Sequence, residues 1–180
     1  MKNKNISVWI AFFFLLLLLP SHITAQTHPP VIVGVAGMSA ALIHPFVAKD
    51  SGQFQKYGVD ARLVLFEGGS LLAQAAMAGE TKISVTSGPV TIASRSAGAD
   101  TIVVAGYINT LPYNLVTAKS ITSLDQLKGK KIAISRFGSN TDTAVRLLLE
   151  KVGLNPAKDV TLIQMGAQPS RFQSDRKSVV

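Results

Sequence analysis

The chain has 180 residues, 47% of them apolar and 16% charged, with a formal net charge of +8. That is enough apolar material for a core and too little charge for a disordered tail or a solvated coiled coil, and the length suits one domain or one and a part. With no cysteine and three histidines, disulfides, lipid attachment at a processed N-terminal cysteine and a Cys/His metal set are all excluded.

Residues 1–25 read as a secretory signal. Lys2 and Lys4 precede the unbroken apolar run Val8–Leu19, Pro20 breaks it, and Ala25 is the small residue that precedes a cleavage point. The apolar run covers 12 residues, whereas a spanning helix needs about 20, so a signal is favoured over a membrane anchor. Cleavage would begin the mature protein at Gln26 and remove Lys2 and Lys4, lowering the charge from +8 to +6. Only Lys128, Lys130 and Lys131 cluster, flanking a turn. The positive excess reads as a solvated surface with mild steering of anions, and no nucleic-acid partner is expected of an exported chain.

Strand and helix signals then alternate. Val31–Val35 predicts a strand ending at Gly34 and Gly37. Ala40–Asp50 predicts a helix with Leu42, Ile43, Phe46 and Val47 on one side; Gly52 ends it and Phe54–Tyr57 adds a turn. Val59–Phe66 is a second strand, and Ser70–Ala78 a helix closed by Gly79. Ile83–Thr86 is a third strand. Ser87-Gly88-Pro89 opens a helix to about Ala97, which Gly98 stops. Thr101–Ile108 is expected as a fourth strand. Strands apolar on both faces suit a parallel sheet covered by helices on both sides.

A second α/β lobe is expected from about Leu111, giving lobes at 26–110 and 111–172. Tyr113–Ala118 predicts a strand, and Thr122 with Asp125 fits the [ST]-x-x-[DE] capping box of a short helix. Ile132–Ser135 follows as a strand, Ser139–Val152 as a helix and Val160–Met165 as a strand, with another helix beginning in Gly166–Phe172. Residues 173–180 are expected to be a non-native tail on a truncated reading frame. Ser174–Val180 has no cap or packing pattern, and DRKSVV is also what a common sequencing-adapter sequence encodes before a stop codon.

The chemistry is concentrated in loops after strands. Gly37-Met38-Ser39, Glu67-Gly68-Gly69-Ser70 and Thr86-Ser87-Gly88 all fall at one edge of the first sheet, where open α/β sheets bind ligands. Glycine permits close backbone approach and the hydroxyls donate or accept; plain helix capping by Ser39, Ser70 and Ser87 is the competing reading. Arg136-Phe137-Gly138-Ser139-Asn140-Thr141 opens the long helix of the second lobe. There Arg136 and the backbone amides of Ser139–Thr141 are candidates to face a small polar or anionic ligand. Asp142 also fits a capping box with Ser139, and its charge would repel an anion or pair with a ligand amine. His44 reads as a packed or surface residue. Asp60 and Glu67 do not make a catalytic pair, and no dinucleotide fingerprint, G-x-S-x-G or P-loop is present.

The run PFVAKDSGQFQKYGVDARLVLFEGG (Pro45–Gly69) resembles the first-lobe signature of solute-binding proteins of ABC importers, in the nitrate/sulfonate/taurine group with its thiamine-precursor relatives. SLDQLKGKKIAI (Ser123–Ile134) and GSNTDTAVRLLLEKVGLNPAKDVTLIQMG (Gly138–Gly166) resemble its second-lobe signature. The resemblance implies an α/β fold of the type II periplasmic-binding-protein kind, here a first lobe plus a partial second lobe. It implies a cleft lined by Met38, Ser39, Gly69, Ser87, Gly138, Ser139, Asn140 and Thr141. Ser70 and Arg136 join these as candidates from their loops. A whole family member returns to lobe one after completing lobe two, so hinge return and part of the cleft wall are expected to be missing here.

The function so implied is solute binding outside the cytoplasm for an ABC importer. The partners would be a small-molecule ligand and the importer's permease, with its ATPase subunit reached indirectly. The protein is expected to be a periplasmic monomer and not an enzyme, with no metal or cofactor. Nitrate, a sulfonate, taurine, a phosphonate or a pyrimidine all remain open as ligand. Two alternatives stand beside this reading: an enzyme of pyrimidine-precursor synthesis on the same fold, against which no nucleophile or acid–base pair is found, and a ligand sensor.

Overall fold

The computed structural model describes residues 29–177, with side chains described through Gln173. The signal at 1–25 and the last three residues of the expected tail lie outside the described residues. The elements are β1 (Val31–Val35), a 3-10 turn (Ala40–Leu42), α1 (His44–Asp50), α2 (Gln53–Lys56), β2 (Ala61–Leu65), α3 (Gly69–Met77), β3 (Ile83–Val85) and α4 (Gly88–Ser96). After a long stretch without regular structure come a second 3-10 turn (Leu124–Leu127), β4 (Lys131–Ile134), α5 (Asn140–Lys151), β5 (Thr161–Gln164) and α6 (Gln168–Lys177).

Two parallel sheets result. The first has the order β2-β1-β3, with Val33 opposite both Leu63 and Ile83. The second pairs β4 with β5, Lys131 opposite Thr161 and Ile134 opposite Gln164. The parallel, helix-covered plan expected from the apolar strands is therefore present. Val33 and Val35 of β1 are buried, together with Leu72 and Ala75 on one face of α3. Gly34 lets that helix sit down: a Cβ there would collide with Leu72 Cδ1 and press on Phe66 and Thr81. In the second sheet Leu127, Ile132, Ile134, Val145, Leu149 and Val160 form one buried cluster, flanked by Leu115, Ile121, Leu154 and Leu162.

Four sequence expectations need correction. The helix expected over Ala40–Asp50 breaks at Ile43, because Pro45 at the helix start has no N–H to bond a preceding turn. Thr101–Ile108 is not a strand. Ile102 and Val104 are 77% and 84% exposed, and an apolar segment becomes a strand only where a neighbour accepts its backbone bonds. Tyr113–Ala118 is likewise irregular, so each sheet has one strand fewer than expected. The capping box at Thr122 uses Gln126: the Thr122 amide donates to Gln126 Oε1 at 2.8 Å, while Ser123 is the N-cap and its side chain makes no capping bond. At the far end, α6 carries helical backbone past 172 to Lys177. Among the described residues no helix is long and apolar enough to cross a membrane.

Candidate functional site

Loops from both sheets meet at the carboxyl ends of their strands. Gly68 has φ +124, and Ser135 Oγ lies 3.3 Å from where its Cβ would stand, with Arg136 Cβ at 3.8 Å. Gly69 is wedged against the start of α4: a Cβ there would meet Val90 Cγ2 at 2.7 Å and Thr86 Oγ1 at 3.0 Å. Ser70 Cβ stands 4.0 Å from the Cβ position of Gly138, and Glu67 Oε2 stands 3.0 Å from that of Gly166. The loop after β2 thus rests on the loops after β4 and β5.

The loop after β4 is held from within. Ser139 is 1% exposed, and its Oγ accepts from the Asp142 amide at 3.4 Å, the side-chain cap of α5. Ser135, Ser139 and Thr141 form a triangle of hydroxyls with edges of 2.8, 2.8 and 2.9 Å. Thr141 Oγ1 also accepts from the Ser135 amide at 2.9 Å. The Phe137 amide donates to Gln164 Oε1 at 2.9 Å, and the Gly138 amide to Asp142 Oδ2 at 2.8 Å. The buried Asp142 carboxylate is in turn neutralised by Arg146, whose Nε donates to Oδ1 at 2.7 Å. This removes the repulsion of anions that an isolated Asp142 would exert. The amides of Asn140 and Thr141, the first two of α5, have no carbonyl to bond within the helix and stand at the positive end of its dipole.

Other polar atoms here are shielded from water yet unpaired within the described residues: Thr86 Oγ1, Ser87 Oγ, Arg136 Nε and Asn140 Oδ1. Two can serve as donor or acceptor, one only donates and one accepts. Asn140 uses its other amide atom, Nδ2, to donate to Tyr113 Oη at 2.9 Å. Burial raises the Tyr113 pKa, opposed by the Asn140 bond and by the charge of Arg171. Arg171 Nη1 donates to the Gly166 carbonyl at 2.8 Å. Burial lowers the Arg171 pKa, with Tyr113 acting in the opposite sense.

Of the ten sequence candidates, Gly69, Ser70, Arg136, Gly138, Ser139, Asn140 and Thr141 are brought together. Ser87 adjoins Thr86 as N-cap of α4, and its side chain makes no capping bond. Met38 and Ser39 follow β1; Met38 is exposed, and Ser39 precedes the first 3-10 turn without a side-chain cap. Plain capping therefore does not account for Ser39 or Ser87, whereas it does account for Ser139. Sequence reasoning missed Ser135, Tyr113, Gln164 and Arg171. Ser135 carried a usable signal, as a hydroxyl at a strand's carboxyl end; the others arrive from distant segments. An open hollow of about 540 Å³ lies away from this junction, at the C-terminal end of α5, lined by residues that include Arg146, Glu150 and Leu154.

The parallel sheets with converging strand-end loops, together with the likeness to solved structures, give the class: an α/β fold of the type II periplasmic-binding-protein kind. A solved structure from Bordetella bronchiseptica RB50 matches with a TM-score of 0.66 at 23% identity, over 85% of this chain and 49% of that one. The alkanesulfonate-binding protein SsuA from Xanthomonas axonopodis pv. citri, bound to MOPS, matches with a TM-score of 0.62 at 20% identity, over 83% of this chain and 51% of that one. A protein of Brucella abortus named as a binding protein is 29% identical over 167 residues, 92% of this chain and 49% of the relative. The chain spans about half the length of the curated relatives it matches. The family described as NMT1/THI5 like matches residues 40–175, and the chain belongs to that family.

Proposed function

We propose that this chain belongs to the solute-binding component of an ABC importer, taking a small anionic solute of the nitrate, sulfonate or taurine type. The observation that carries this reading is the set of shielded, unpaired polar atoms on Thr86, Ser87, Arg136 and Asn140 beside the free amides of α5. Burying such groups unpaired is costly, and a polar ligand relieves the cost. In this reading Arg136, Asn140, Ser70, Ser87 and the Asn140 and Thr141 amides contact the solute. Gly69 and Gly138 permit its close approach, and Ser139 and Thr141 hold the loop in shape. Met38 and Ser39 join from the β1 loop as the lobes, 26–110 and 111–172, close.

The relatives named for binding support a receptor over an enzyme, while the family match is compatible with both. The chemistry agrees: the hydroxyls of Ser135, Ser139 and Thr141 bond one another, the buried Asp142 carboxylate is neutralised by Arg146, and outside the loops His44 packs against the Tyr107 ring with centroids 4.2 Å apart. After signal cleavage the protein would work in the periplasm as a monomer, delivering solute to a permease coupled to an ATPase subunit. A thermal-shift screen against nitrate, ethanesulfonate, taurine, ethylphosphonate and a pyrimidine tests this. A bound solute at about one hundred times its Kd adds about 2.7 kcal/mol of stability, or about 5–10 °C in melting temperature for a chain of this size. No shift with any of them would refute the reading.

A further inference from the structure

A second guanidinium reaches the same sheet edge from α6. Arg171 is anchored by one bond, from Nη1 to the Gly166 carbonyl at 2.8 Å, and among the described residues it forms no ion pair with a carboxylate. The Gly166 amide donates to the Ser135 carbonyl at 3.1 Å, so the Arg171 anchor abuts the hydroxyl triangle. Tyr113 belongs to the same loops through Asn140: its phenol accepts from Asn140 Nδ2 at 2.9 Å and so keeps its own hydrogen free to donate. Across Gly166 stands Glu67, with Oε2 3.0 Å from that glycine's Cβ position. A guanidinium has five N–H donors in a fixed fork, and one bond leaves most of that fork available to an oxyanion.

The charges around the loops can be counted. Arg136 and Arg171 contribute two positive charges. Asp142 and Arg146 cancel as a pair. Glu67 contributes one negative charge, leaving a net of one positive. We propose that Arg171 is a further solute contact, anchored by the Gly166 carbonyl, and that Glu67 limits the accepted headgroup to a single negative charge. This rests on the reading of these loops as a solute site, and it adds residues and a charge rule that the sequence candidates do not contain.

The test is calorimetric titration of the full chain with ethanesulfonate and with ethylphosphonate, at a pH where the phosphonate is doubly ionised. The wild type is expected to prefer the sulfonate. Arg171→Met is expected to weaken ethanesulfonate by about tenfold or more, the scale of one charge-assisted hydrogen bond, with Arg171→Lys retaining part of the affinity. Glu67→Gln, on an exposed side chain, is expected to leave melting unchanged and to narrow the sulfonate preference by about two- to fivefold. Unchanged ethanesulfonate affinity in Arg171→Met, or an unchanged preference in Glu67→Gln, would overturn the proposal while leaving the solute site standing. A wild type that binds neither probe would overturn this inference, and the solute site itself would fall only if nitrate, taurine and the pyrimidine also gave no thermal shift.

Discussion

Around β4 and β5 six apolar side chains close into one buried cluster, and the loop that follows β4 uses its own hydroxyls and amides to fix its shape. Around β1–β3 the core is thinner. Ile83, Ile92, Ile102, Val103 and Val104 stay exposed, and Thr86 and Ser87 leave hydroxyls unpaired at the strand ends. The same parallel plan thus yields a tightly bonded frame at β4 and β5, which still leaves Arg136 Nε and Asn140 Oδ1 unpaired, and a looser first sheet that leaves the hydroxyls of Thr86 and Ser87 unpaired. A site needs both: a rigid frame to hold Arg136 and Asn140 in place, and opposing groups with bonding capacity left for a ligand.

The contrast can be broken most severely in the second core. Leu149 has no solvent exposure, so Leu149→Ala is expected to cost about 2–5 kcal/mol. Val104→Ala, at an exposed position, should stay within about 0.5 kcal/mol. Chemical denaturation of both variants measures the gap, and equal losses would mean that the two regions do not differ as described. Gly69→Ala comes next. Its Cβ would stand 2.7 Å from Val90 Cγ2, and such overpacking costs about 1–3 kcal/mol. It should also weaken solute binding, because α3 and α4 must separate beneath the loops.

Asp142→Ala removes the acceptor of the Gly138 amide and the partner of Arg146. A loss of about 1–2 kcal/mol is expected, and faster hydrogen exchange at Gly138 would locate it. The smallest effect belongs to Asp159. Its pKa is lowered, first by the Asn155 amide at 2.7 Å and then by Lys128 at 3.4 Å. A carboxylate with a depressed folded-state pKa stabilises the fold above the ordinary carboxylate range, and loses that contribution as pH falls through the folded value. The stability difference between wild type and Asp159→Asn should therefore be constant near neutral pH and shrink in acid. A difference that grew as pH fell would reverse the sign.

Much of this architecture was legible because its determinants are local. Apolar runs bounded by glycine marked β1, β2, β3, β4 and β5 to within a residue or two, and Ser139 marked the start of α5. Two local readings failed, at Pro45 and at Thr122; the remaining failures depended on a distant partner. Thr101–Ile108 and Tyr113–Ala118 have strand composition, yet strand formation is decided by a neighbour's backbone, which no local pattern encodes. The loop at Arg136 was visible as a candidate, but the Asn140–Tyr113 bond and the Phe137–Gln164 bond each span 27 residues. Arg171 was hidden in the same way, since only the folded chain brings α6 to the edge where Gly166 and Glu67 meet.

The central claim is that Arg136, shielded and unpaired at Nε, holds an anionic solute. Calorimetric titration of Arg136→Ala against the wild type, with the solute that gives the largest thermal shift, tests it most directly. The account predicts a loss of about 1.5–3 kcal/mol in binding, the scale of a charge-assisted hydrogen bond, with melting in the absence of solute unchanged. Unchanged affinity in a folded variant would contradict it.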